Sequence, residues 1–126
     1  MKRLELVVDG KPIAWARPGQ IGAKRYDTQK ANKIDLGWIL IEAKGKHTTP
    51  QGMIHLSVKF FLQRPKSRDK EKGEQYHACK PDLDNLVKFL LDAGNGIVWK
   101  DDSEIVEIHA EKFYSSYPRT EIVIRW

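Results

Sequence analysis

Apolar and polar residues alternate at Leu4, Leu6 and Val8, along Ile54, Leu56, Val58, Phe60 and Leu62, from Val106 to Ala110, and from Ile122 to Trp126. A period of two marks a strand with one packed face and one wet face. Asp9-Gly10 is a turn pair and Ile13 to Trp15 resumes after Pro12, so the N-terminus is predicted to form a hairpin. Two stretches switch to helical spacing. From Gln29 to Lys44 the apolar residues are Ala31, Ile34, Trp38 and Ile41, with Asp27 or Thr28 placed to cap, Gly37 weakening the pattern and Gly45 at its end. In the second, Pro81 suits a first turn, Leu83, Leu86, Val87 and Leu90 share a face, and Gly94-Asn95-Gly96 ends the run. Ile97 to Trp99 is predicted as a short strand, and Gln63 to Cys79, without periodicity, as a mobile loop.

The order β, β, α, β, α, β, β does not alternate strictly. A mixed β-sheet with two main helices packed on it, an α+β fold, is therefore expected rather than a doubly wound parallel sheet. The 126 residues, 40% of them apolar, suit one domain spanning 1–126 around one core. No apolar run approaches the ~20 residues of a membrane span. Met1 to Leu4 leads straight into a strand pattern instead of a signal-peptide core, so a cytoplasmic protein is expected. Cys79, the lone cysteine, has no partner for an internal disulfide or for the common zinc spacings.

Charge changes this picture. Lysine and arginine number 22 against 17 acidic residues, a net charge of +5 and a pI near 9.3. The excess is concentrated: Arg64, Lys66, Arg68, Lys70 and Lys72 fall in the aperiodic stretch with Lys80 directly after it, and Arg17, Lys24, Arg25 and Lys30 surround PGQIGAKRYD. Such clusters suit the phosphates of a nucleic acid. Trp15, Tyr26 and Tyr76 are expected to pack within the fold, with stacking on exposed bases as their second reading, and His109 to lie on a wet strand face.

Against this background, KPDLDNLVKFLLDAGNGIVWKDD places Asp82 and Asp84 at one end and Asp101 and Asp102 at the other. The plainest reading is structural, since a carboxylate in a helix's first turn gains about 0.3 to 1 kcal/mol from the dipole. The glycine turn, however, is expected to fold the short strand back beside the helix and carry Asp102 toward Asp82 and Asp84. Carboxylates gathered in that way need a cation, and an all-oxygen set suits Mg2+ or Mn2+. Lys88 sits one turn above Asp84. An EF-hand is excluded, because Leu86 and Val87 stand where an oxygen ligand and a glycine are required. Phosphate-cradling GxxxxGK[ST] and acyl-transfer GxSxG motifs are missing, and nothing nearby resembles a sugar cleft. Carboxylates, a lysine and a basic surround fit metal-assisted phosphodiester hydrolysis. A non-catalytic DNA-binding module whose acids only cap a helix remains the second reading.

KPDLDNLVKFLLDAGNGIVWKDDSEIVEI resembles the signature of the RusA family of Holliday junction resolvases, small endodeoxyribonucleases of phages, prophages and some bacteria. The resemblance is close from Lys80 to Lys112 and looser before it. It implies catalytic and metal-binding acids at Asp82, Asp84 and Asp102 and a functional lysine at Lys88, with Asp101 beside them either an accessory or the ligand in place of its neighbour. It also implies Mg2+, a homodimer matched to a two-fold four-way DNA junction, roles in recombination and repair, and a sheet with packed helices. The family pattern usually has a large apolar residue where this chain has Gly94, which puts the packing of the helix end in question.

Overall fold

The computed structural model describes residues 1–68 and 73–126. Its strands are β1 (Arg3–Asp9), β2 (Gly19–Ile21), β3 (Lys24–Tyr26), β4 (Ile54–Gln63), β5 (Gln75–Tyr76), β6 (Ile105–Ser115) and β7 (Arg119–Arg125). Its helices are α1 (Lys30–Lys44) and α2 (Leu83–Gly94). Five strands form one mixed sheet in the order β1-β7-β4-β6-β5, parallel only between β4 and β6, while β2 and β3 make a separate ribbon. The parallel pair is joined through α2, as a parallel connection requires. The expected α+β fold is the observed one.

Alternation explains the core. Leu4, Leu6 and Val8, then Ile54, Leu56, Val58, Phe60 and Leu62, then Ile122 and Ile124 are all buried on one face of the sheet. Both helices cover that face, α2 supplying Leu86 and Leu90 and α1 supplying Leu40. On the opposite face Phe61 stacks on Phe113 at 5.5 Å and carries the Arg119 guanidinium 3.8 Å above its ring.

Four local expectations are corrected. The N-terminal hairpin does not form: Ile13 to Trp15 is not a strand, and β1 pairs instead with β7, Leu4 facing Ile124. Ile97 to Trp99 is a turn that makes only an isolated bridge, Asn95 to Trp99. The loop after β4 contains a 3-10 turn at Lys66–Arg68 and the two-residue β5. Finally, α1 buries Gly37 and Leu40, and its regularly spaced Ile34, Trp38 and Ile41 face outward, Trp38 with 66% of its surface exposed.

Gly94 has a packing reason. A Cβ there would lie 2.7 Å from the Trp99 ring and 2.8 Å from a Val98 methyl. Trp99 and Val98 are fully buried, so the chain fills with an indole the space that a larger residue at 94 would occupy.

Candidate active site

Asp82 precedes the first turn of α2 in extended conformation, and Asp84 lies within that turn. Asp82 makes no side-chain cap hydrogen bond, so capping does not occupy its carboxylate. Its carbonyl accepts from the Leu86 amide at 3.2 Å. The approach to the helix is pinned from β6: the Lys112 ammonium donates to the carbonyls of Cys79 and Pro81 at 2.6 and 2.8 Å. Asp82, Asp84 and Lys88 are all exposed.

Lys88 is held in place. Its Nζ stands 3.6 Å from the centre of the Trp15 ring, and the Trp15 amide donates to the Asn85 carbonyl at 2.9 Å. The segment carrying Trp15 is fixed by Gln29, whose side chain bonds the Ala14 carbonyl and the Ala16 amide. Trp15 is therefore a support for Lys88. Asp92, one turn beyond, pairs with Lys33 of α1 at 3.6 Å and is drawn away from this group. Lys33 also bonds Asp27 at 3.0 Å; the Gln29 amide and then this ammonium hold the Asp27 carboxyl below its ordinary range.

Asp102 is elsewhere. Its amide donates at 2.9 Å to Oδ1 of Asn95, just past the C-terminal end of α2. From Asp84 to Asn95 the helix axis advances roughly 16 Å at ~1.5 Å per residue. The expectation that the turn returns Asp102 to Asp82 and Asp84 is thus corrected: within one chain the three acids sit at opposite ends of α2. The reason is that the turn after Gly94 buries Val98 and Trp99 beneath the helix end and then starts β6 there. Among the described residues no three His, Cys, Asp or Glu side chains come together to hold a metal. Asp101 caps the short 3-10 turn Asp102–Glu104 by accepting from the Ser103 amide at 3.0 Å, and that bond keeps its carboxyl below the ordinary range. It serves structure.

Part of the basic set, Arg17, Arg64, Lys66, Arg68 and Lys80, lies toward the Asp82–Asp84 end. Arg17 follows the segment tied to Asn85, Lys24 and Arg25 lie on the exposed β3, and Lys30 opens α1. Arg64 and Lys66 leave the top of β4, and Lys80 directly precedes Pro81. Arg68 lies over the Tyr114 ring at 4.8 Å. Lys70 and Lys72 lie outside the described residues. Tyr76 stacks on Phe113 at 5.0 Å and donates to Glu111, in keeping with a packing role. Exposed His109 meets Glu111 at 3.3 Å. Three supporting residues had escaped sequence reasoning: Lys112 and Gln29 carry no local signal, while Asn95 is visible only as part of the glycine turn.

A family model described as endodeoxyribonuclease RusA matches residues 9–125. The chain is 34% identical over 138 residues to an uncharacterized protein, YqaN, of Bacillus subtilis (strain 168), covering 99% of this chain and 97% of that one. It is also 34% identical over 101 residues to a crossover junction endodeoxyribonuclease, rusA, of Lactococcus phage r1t, covering 79% of this chain and 75% of the phage protein.

Proposed function

The chain belongs to the RusA family of endodeoxyribonucleases, and from that premise we propose that it resolves four-way DNA junctions as a divalent-metal-dependent homodimer, in recombination and repair. The observation that carries this reading is the division of the acids about α2. Asp82 and Asp84 stand at the basic end beside Lys88, and Asp102 stands at the other. A two-fold axis level with the middle of α2 exchanges its ends, so the partner's Asp102 meets Asp82 and Asp84 and two equivalent sites arise. Two sites in a symmetric dimer match two opposed strands in a symmetric junction.

Three exposed carboxylates make a hard oxygen donor set that fits Mg2+, with Mn2+ as substitute. Bound there, such an ion polarises a phosphoryl oxygen and lowers the pKa of an attacking water. The chain's own residues do the rest. Asp82, Asp84 and the partner's Asp102 would hold such an ion. Lys88, steadied on Trp15, presents its ammonium to the charge that builds on the phosphoryl oxygens. Arg17, Lys24, Arg25, Lys30, Arg64, Lys66, Arg68 and Lys80 draw the arms of the junction to the protein.

The rival reading, a DNA-binding module whose acids only cap α2, is disfavoured by the missing side-chain cap at Asp82. Incubation with a synthetic four-way junction separates the two. Symmetric nicks in Mg2+ and none in chelator are expected, with Asp82→Asn blocking cutting but not binding. Junction binding without nicks in Mg2+ or Mn2+ would sink the enzyme reading.

A further inference from the structure

For most of its length β6 has a neighbour on one side only. β4 covers one edge from Ile105 to Ser115, whereas among the described residues β5 pairs only with Phe113 and Tyr114 on the other. The His77 amide donates to the Lys112 carbonyl at 3.0 Å. Residues of the same parity, Ile108 and Ala110, therefore turn their backbone N–H and C=O groups toward the uncovered edge, the regular register ending at Glu107. Their side chains lie on the helix-bearing face, where Ile108 is 44% exposed; Val106, at the register shift, is 58% exposed. The flank of α2 turned away from α1 adds half-buried Leu83, Val87 and Leu91. An unprotected edge with apolar, β-branched side chains is a template for another strand.

We infer that a second copy docks on this edge, the two β6 strands pairing antiparallel about a two-fold axis at Ile108; the inference rests on the homodimer reading above. Charge selects the register. With Ile108 facing its own copy, Glu107 stands opposite the partner's His109 and His109 opposite the partner's Glu107. The neighbouring symmetric registers set Glu107 against itself or against the partner's Glu111, and like charges directly opposite are destabilising. In the chosen register the Ile108 pair, which faces outward, exchanges both backbone hydrogen bonds.

The same register levels the acids. Lys112, bonded to the Cys79 and Pro81 carbonyls, marks the height of the start of α2 on β6. The antiparallel pairing sets it toward the start of the partner's β6, so the partner's Asp102, just before that strand, arrives at the Asp82–Asp84 end. The other exposed apolar stripe, Ile34, Trp38 and Ile41 on α1, does not achieve this. It borders the C-terminal half of α2, where Lys33 meets Asp92 and Gly37 meets Ile97, and a two-fold axis there brings the two Asp102 ends together.

Cross-linking tests the surface directly. In a Cys79→Ser background, Ile108→Cys places two Cα atoms about 5.5 Å apart across a hydrogen-bonded pair, within disulfide reach. Mild oxidation should give a covalent dimer, and Trp38→Cys should give none. Ile108→Lys should run as a monomer by light scattering with its circular dichroism unchanged, while Trp38→Lys stays dimeric. A cross-link at Trp38 alone, or a dimeric Ile108→Lys, overturns the surface. Failure of Ile108→Cys to cross-link while junction cutting persists removes the surface and leaves the functional reading standing. A cross-linked dimer whose reduced form cuts no junction in Mg2+ keeps the surface and removes that reading.

Discussion

The Lys88 ammonium stands 3.6 Å from the centre of the Trp15 ring, inside the range of a cation–π contact. This fixes the direction of the lysine on an otherwise exposed helix face. Such contacts contribute about 0.5 to 2 kcal/mol, so Trp15→Ala should slow junction cutting by roughly two- to thirtyfold. Trp15→Phe should recover most of the rate. Single-turnover cutting at saturating Mg2+ checks this, and equal rates for wild type and Trp15→Ala would remove Trp15 from its positioning role.

Gly94 is predicted to resist enlargement. Its missing Cβ leaves room for Trp99 and Val98, which are fully buried and cannot move aside cheaply. Gly94→Ala should lower unfolding stability by about 1 to 3 kcal/mol, the usual cost of overpacking, despite alanine's better helix propensity. The urea midpoint reports the effect. A stabilised Gly94→Ala protein would show that the indole has space to spare.

Much of the architecture was legible in the sequence, and the losses have physical causes. Alternation located β4 and the strands that became β1, β6 and β7, because a two-residue period determines which face is buried. Pairing was not local: Ile13 to Trp15 looked like the second arm of a hairpin, yet the partner of Leu4 was Ile124. Helical spacing found α1, but period alone does not distinguish a core stripe from an exposed one, and Ile34, Trp38 and Ile41 proved to face outward. The acids were legible by residue type. Their separation was not, because it depends on Val98 and Trp99 burying under the helix end before β6 begins.

Stability should depend on pH through His77. Burial, and then the nearby Lys112 ammonium, push its imidazole below the ordinary value of 6.5. The folded chain therefore keeps His77 neutral where the unfolded chain begins to protonate, and stability is lost as pH falls below about 6.5. The carboxylates with lowered pKa, Asp27, Asp101 and Glu111, act only in more acid solution. Melting temperature should fall between pH 7 and pH 5, and less steeply in His77→Asn. Parallel curves would assign the fall to other groups.

On the proposed reading, in which the basic residues contact phosphates, junction affinity should fall steeply with salt. Lys24 and Arg25 are exposed on β3. Replacing both with Ala should reduce the slope of log affinity against log salt by about 2, with binding weakened evenly across junction sequences. Fluorescence anisotropy over a KCl series measures it. An unchanged slope would place the β2–β3 ribbon off the DNA.

The division of the acids between two subunits is tested most directly by mixing inactive variants. Asp82→Asn and Asp102→Asn homodimers should each bind a four-way junction in Mg2+ without cutting it. After unfolding and refolding together, the mixed dimer holds one site with both residues wild type and one with neither. It should therefore nick one strand of the junction and fail to make the paired cut. A mixture of confirmed heterodimers that nicks nothing would contradict the shared site and return all three carboxylates to a single chain.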